Sequence, residues 1–270
     1  MYIMSYFTDS ELCARLAKSE DLLHWEDMNG GKPVVYKTED TLIRDPFMIR
    51  DKDGLYHMLF TVNWNGNLLG HCVGKTLTDF SDTRFIPVMP ENAKNVWAPE
   101  CIYDEENDEY IIFWSSTVDE DDYDHRIWHC KTKDFESFSQ AEIFFDPGYS
   151  VIDASIIKVG GKYIMAFKDE RGTHKKDTDS KDIHLAFSDK AAGPYGDITK
   201  PISQHLCEGP CMVKKDSGYY IFFESFIEHY YNGLYTEDFK SFENISGRID
   251  FPADCKHFSI IEVESDETVA

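Results

Sequence analysis

Short apolar runs, each followed by a turn and a second, Tyr-rich apolar run, recur along the chain. Phe47 to Ile49 precedes Leu55 to Thr61, and Cys101 to Tyr103 precedes Tyr110 to Ser115. Ile156 to Val159 then precedes Lys162 to Phe167, and Cys211 to Val213 precedes Tyr219 to Glu224. Runs this short, bounded by Gly, Asp or Asn, predict strands, and two of them around a tight turn predict a hairpin. An acidic motif leads each hairpin: Arg44-Asp45-Pro46, Trp97-Ala98-Pro99-Glu100, Ile152-Asp153-Ala154-Ser155 and Glu208-Gly209-Pro210. His257 stands alone at the next expected position. A period of about 50 residues implies one supersecondary unit copied around a ring or along a stack.

An offset repeat gives the count. Ser19-Glu20-Asp21-Leu22, Leu77-Thr78-Asp79-Phe80, Thr132-Lys133-Asp134-Phe135, Ser188-Asp189 and Thr236-Glu237-Asp238-Phe239 are five copies, not four. The extra copy lies in an N-terminal segment with middle and outer strand candidates, Tyr2 to Phe7 and Leu12 to Lys18, but no acid-led first strand. At the other end, His257 to Glu264 alternates as a lone strand. Joining them completes a fifth unit with the C-terminal strand innermost, which is how a closed ring removes its open edges. The expected fold is therefore all-β, a five-bladed β-propeller spanning residues 1–270 as one domain. A β-sandwich with coincidental repeats is the competing architecture.

Composition suits this reading. Aromatic residues make up 14%, with 15 Tyr and 19 Phe, which fits strands better than helices. The 27 basic and 50 acidic residues give a net charge of -23, so nucleic acid and anionic membrane surfaces are disfavoured partners. The acidic runs Asp104 to Asp108 and Asp119 to Asp124 lack the glycine-containing spacing of calcium loops and read as solvated turns. Seven cysteines without C-x-x-C spacing read as buried free thiols. Together with an N-terminus lacking a basic or long apolar segment, they point to a reducing cytoplasm. A chain trimmed of a signal peptide would read the same, which leaves the periplasm or secretion open. His71, His125, His205 and His229 show no metal-ligand spacing, so a zinc-dependent reaction is not expected.

In a propeller the innermost strands line one channel, so residues just before them converge at one mouth. Asp45, Asp153 and Glu208 should meet there. Three carboxyls in one concavity raise at least one pKa, and a carboxyl pair flanking a bond is the minimal equipment for glycoside cleavage. The bland alternative is that each acid caps the turn before its strand. Trp97, Trp64 and Phe226 are candidate sugar platforms, although each could equally be blade packing. Trp25 and Trp128 read as structural.

At these motifs the chain resembles glycoside hydrolase family 43, five-bladed propellers acting on arabinosides and xylosides. By this resemblance Asp45 matches the general base, Asp153 the pKa-tuning and orienting Asp, and Glu208 the general acid. Arg44, Trp97, Glu100, Lys168, Arg171 and His257 are the candidate substrate-binding residues. Glu100 stands where the family usually has Asp, and Lys168, Glu170 and Arg171 are charges that could reach the rim from their position just after a middle strand. The resemblance implies no required cofactor, with a structural Ca2+ in the channel near His257 as one option, and an oligo- or polysaccharide partner. It also implies single displacement with inversion, the two working carboxyls standing roughly 6.5–9.5 Å apart. Asp153 should raise the pKa of Glu208 by like-charge repulsion.

Two alternatives stay open. Sucrose- and fructan-cleaving propellers also pair Arg-Asp-Pro with a later Glu-Cys, imitated here by Asp45 and Glu100-Cys101, but they need an Asn-Asp-Pro one blade earlier, and the first forty residues contain none. The other is a carbohydrate-binding propeller without turnover.

Overall fold

The computed structural model describes residues 1–118, 124–174 and 180–264. The run from Asp119 to Asp124, apart from Asp124 itself, lies outside them. Five antiparallel sheets surround one axis. Strands β1 (Tyr2–Phe7), β2 (Arg15–Ser19) and β3 (Glu26–Asp27) are followed by β4 (Arg44–Arg50), β5 (Tyr56–Thr61), β6 (Leu68–Gly74) and β7 (Phe80–Pro87). The next blades hold β8 (Trp97–Asp104), β9 (Glu109–Ser116), β10 (Arg126–Thr132) and β11 (Glu142–Phe145), then β12 (Val151–Val159), β13 (Lys162–Asp169) and β14 (Ile183–Ser188). Strands β15 (Cys207–Lys215), β16 (Gly218–Ser225), β17 (Tyr230–Thr236) and β18 (Glu243–Asn244) form another blade, and β19 (Lys256–Glu262) pairs with β1.

The order β19-β1-β2-β3 closes the ring as expected, with the C-terminal strand innermost. Around the axis β19 touches β4, β4 touches β8, β8 touches β12, β12 touches β15, and β15 touches β19 again. The only helical elements among the described residues are two single-turn 3-10 segments, Asn29–Gly31 and Ser246–Arg248.

The core is divided into five apolar slabs, one between each pair of neighbouring blades. Alternation along a strand sends successive side chains to opposite faces, and in the middle strands both faces are covered. From β5, Tyr56, Met58 and Phe60 pack toward the first blade while Leu59 packs toward the third. From β13, Tyr163, Met165 and Phe167 face one neighbour and Ile164 and Ala166 the other. This explains why the middle strands read as unbroken apolar runs rather than alternating ones. All seven cysteines are free and buried within this architecture.

The offset repeat has a physical meaning too. Each of three copies turns the chain after a third strand: the Ser or Thr hydroxyl accepts a backbone N–H, from Leu22 to Ser19, Phe135 to Thr132 and Phe239 to Thr236, each at 2.9 Å. The Asp between them accepts further N–H groups, as Asp134 does from Glu136 and Ser137, both at 2.9 Å. The apolar residue then adopts a left-handed backbone, with φ of 70° at Leu22, 54° at Phe135 and 55° at Phe239, and is buried.

Candidate active site

Each innermost strand carries a bulge at its channel mouth. The register slips between Arg44 and Phe47, Trp97 and Glu100, Ile152 and Ser155, and Glu208 and Cys211, and the β1–β19 pairing slips likewise near Lys256. At every slip one residue has positive φ: Asp45 (50°), Ala98 (46°), Asp153 (54°), Gly209 (58°) and His257 (22°). A left-handed backbone costs a non-glycine residue roughly 1–2 kcal/mol. Its recurrence in all five blades marks the bulge as part of the repeat, re-aiming side chains into the mouth. Arg44, Trp97, Ile152 and Glu208, each one residue before the bulge, are therefore equivalent positions, and all four line one pocket of about 570 Å³.

The same pocket collects Asp45, Asp153, Lys168, Glu170 and His257, with Trp64, Phe226 and Ile227 above them. Hydrogen bonds stitch the motifs from blade to blade. Thr61 Oγ1 donates to Asp45 Oδ2 at 2.7 Å and accepts from Ala98 N at 2.9 Å. Ser115 Oγ accepts from Asp153 N at 2.9 Å, and Gly209 N donates to Asp153 Oδ2 at 3.1 Å. The last bond sets Asp153 directly beside Glu208. His257 Nδ1 stands 3.6 Å from Asp45 Oδ1, and its ring covers Gly209, where an added Cβ would come within 3.3 Å of it.

Glu208 is held by a buried cation. Lys168, 2% exposed, places Nζ 2.9 Å from Glu208 Oε2 and 2.9 Å from Glu170 Oε2. Glu170 is fixed in turn by buried Lys181, whose Nζ lies 2.5 Å from Oε1. The series Lys181, Glu170, Lys168, Glu208 alternates in sign, so each charge is compensated where it is desolvated. For Glu208, burial favours the protonated form, but attraction and hydrogen bonding from Lys168, aided by His257 and Arg44, outweigh it and lower the pKa. A third of the Glu208 side chain remains exposed, consistent with the cation rather than dehydration deciding the direction. The expected upward push on Glu208 is thus reversed. Asp153 takes it instead: burial, with Glu208 and Asp45 adding repulsion against the pull of His257 and Lys168, raises it to about 6.

Two expected site residues lie elsewhere. Glu100 falls two residues past its bulge, so the strand turns it away from the mouth. It is 7% exposed, and burial, reinforced by repulsion from Asp153 and opposed by a Ser155 hydrogen bond, raises its pKa well above the usual range. Arg171, two residues past the end of β13, sides with Asp169 and turns away from Lys168 and Glu170. Its guanidinium pairs with Asp169 at 2.6 Å and covers the Tyr149 ring at 3.8 Å.

Other wall residues carry no motif. His125 stacks on Trp97 with ring centroids 5.2 Å apart, and Asn65, Lys94, Asn95 and His174 complete the rim. Trp97 Nε1 donates to Trp64 O at 3.0 Å, the two indoles meet edge to face, and Arg44 lies 4.0 Å from the Trp64 ring centroid. Trp64, 54% exposed, presents an open aromatic face. Nothing in sequence spacing marks Asn65, Lys94, Asn95, His125 or His174 as wall residues, and Trp64 is marked only by its place just beyond a middle strand.

A calcium ion near His257 would meet several side-chain oxygens that already have protein partners. Ser5 and Ser259, deeper in the channel, spend their hydroxyls on each other at 2.9 Å and on the Pro46 carbonyl, and Asp45 Oδ2 is taken by Thr61. Among the described residues, the grouping of three ligand side chains near enough to share an ion is Asp169, Asp182 and His184, on the fourth blade. Those carboxylates are engaged by Arg171, His184 and His205.

A ring of five blades with Asp, Asp and Glu gathered at one mouth beneath an aromatic wall defines the propeller glycosidase class of architecture. A family model described as "Probable glycosyl hydrolase domain", related to glycoside hydrolase family 43, matches residues 1–268, and the chain belongs to that family. An α-L-arabinofuranosidase of Bifidobacterium longum is 26% identical over 212 residues, 66% of this chain, and the chain spans only 20% of that relative's length. The fold matches a β-xylosidase/α-arabinofuranosidase from a compost metagenome with TM-score 0.62 at 15% identity, covering 79% of each chain. An α-L-arabinofuranosidase from Lactobacillus brevis gives 0.60 at 17%, covering 76% of this chain and 73% of that one.

Proposed function

We propose that the chain is a glycosidase that releases α-L-arabinofuranosyl or β-xylosyl residues by a single inverting displacement. The observation that carries this reading is the convergence of Asp45, Asp153 and Glu208 in one pocket. Glu208 protonates the departing glycosidic oxygen while Asp45 takes a proton from the attacking water. Thr61 orients Asp45, and Asp153, bonded to Gly209 N, orients Glu208 and shares its proton. In the free enzyme that proton rests on Asp153, whose pKa is raised, while Lys168 keeps Glu208 ionised. A bound glycosidic oxygen accepts a hydrogen bond only from protonated Glu208, and this draws the proton across the pair. The names of the relatives support pentose substrates, and the Trp64 and Phe226 faces suit the C–H surface of a sugar ring. The buried position of Glu100 counts against the retaining, fructan-type alternative, which needs it as an acid.

A panel of para-nitrophenyl glycosides tests the assignment. Wild type should hydrolyse the α-L-arabinofuranoside or the β-D-xyloside, and Asp45→Asn should lower that rate at least about 100-fold while melting at a similar temperature. Silence across the panel, or undiminished turnover in the variant, removes the proposal.

A further inference from the structure

A second concavity of about 670 Å³ opens beside the catalytic pocket, lined by Asp9, Glu224, Tyr230, Tyr231, Phe251 and Lys256 among others. Its position follows from strand register. Glu208 pairs with Glu224 across β15–β16, and Glu224 pairs with Tyr231 across β16–β17. Directly opposed residues share one face of a sheet, so Glu208, Glu224 and Tyr231 form a row running outward from the channel. The catalytic pocket holds the inner end of the row and the groove its outer end. Lys256, which pairs with Glu224, and His257 supply consecutive positions of the facing strand to the two concavities. The loop after β16 divides them above, with Phe226 and Ile227 toward the pocket and His229 and Tyr230 toward the groove.

We propose that this groove is a binding site for the leaving-group portion of a neutral oligosaccharide whose scissile end sits in the catalytic pocket. This rests on the acid role proposed for Glu208. A general acid protonates the oxygen that departs with the leaving group, so the leaving group lies on the Glu208 side, where the row begins. The groove's chemistry matches a sugar chain. Tyr230 is 48% exposed, and half-buried Tyr231 and Phe251 meet edge to face at 5.2 Å, giving aromatic surface for C–H faces. Asp9 and Asp254 offer carboxylate acceptors to hydroxyls, and they repel uronic acids.

Arabino- and xylo-oligosaccharides of two and four units provide the probes, with kcat/KM measured on the full chain and affinity measured by calorimetry in an Asp45→Asn background that does not consume them. In one of the two series, the tetrasaccharide should exceed the disaccharide by about tenfold in both quantities, and Tyr230→Ala should remove most of that ratio. Equal values for the two lengths in both series, or a length ratio that survives Tyr230→Ala, overturn the groove. Para-nitrophenyl hydrolysis without any length effect sinks the groove and leaves the glycosidase reading intact. Length-dependent binding that Tyr230→Ala abolishes, in a protein that cleaves nothing, keeps the groove as a saccharide site and sinks the glycosidase reading.

Discussion

Glu208→Gln should lower kcat/KM on a pentose disaccharide by about 10³-fold, and on a para-nitrophenyl glycoside by much less. The difference comes from the leaving group. A sugar alkoxide is a strong base and cannot depart without a proton, whereas para-nitrophenolate departs unaided. Asp45→Asn should instead depress both substrates alike, because either displacement needs an activated water. Both variants keep side-chain volume, and Asn accepts the left-handed backbone that Asp45 adopts at φ 50°. Comparing the two substrates in the two variants therefore separates acid from base without appeal to stability. Equal losses on both substrates in Glu208→Gln would remove it from the acid role.

Lys168→Met should move the alkaline limb of the kcat/KM profile upward by about 1–3 pH units. The sign follows from the charges. Lys168 stabilises ionised Glu208 from 2.9 Å and also lowers Asp153, so it weakens proton binding by the pair. Removing the cation strengthens proton binding, and the pair then keeps its proton to higher pH. In wild type that proton is lost as pH rises through about 6, the raised value at Asp153, the two carboxyls titrating as one coupled unit. Lys168→Arg restores a cation and should return the limb toward its original place. A limb unmoved in Lys168→Met would show that Lys168 only packs beneath Phe226, whose ring centroid is 4.5 Å from Nζ. Under the proposed mechanism, the cation accounts for an acid that rests ionised, with Asp153 holding the proton until a bound glycosidic oxygen draws it to Glu208.

Blade number and ring closure were legible in the sequence because both are set by periodicity, which survives any detail of register. The lone strand at His257 and the unled strands from Tyr2 could complete only one blade, and they do. Asp45, Asp153 and Glu208 were legible for the same reason: each begins a strand that lines the axis. Facing within the motifs was not. It depends on bulges whose left-handed residue is Asp, Ala, Asp, Gly and His in turn, with no shared side chain to announce it. Counting from acid to acid therefore equated Glu100 with Asp45, although the structural equivalent of Asp45 in that blade is Ala98. Arg171 was misplaced by the same blindness to facing: two residues past the end of β13 it sides with Asp169 rather than with Lys168 and Glu170. The electrostatic inversion between Asp153 and Glu208 was hidden because it needs Lys168, from the middle strand of the neighbouring blade, to reach Glu208 across forty residues. His125 escaped as a wall residue because a loop, not a strand, delivers it.

The stereochemistry of the first product tests the account most directly. Proton NMR of the sugar released by wild type, recorded before mutarotation, should show the anomer opposite to that of the substrate, as one displacement between Asp45 and Glu208 requires. Release of the same anomer would mean a covalent intermediate and a nucleophile that this pocket assignment does not contain.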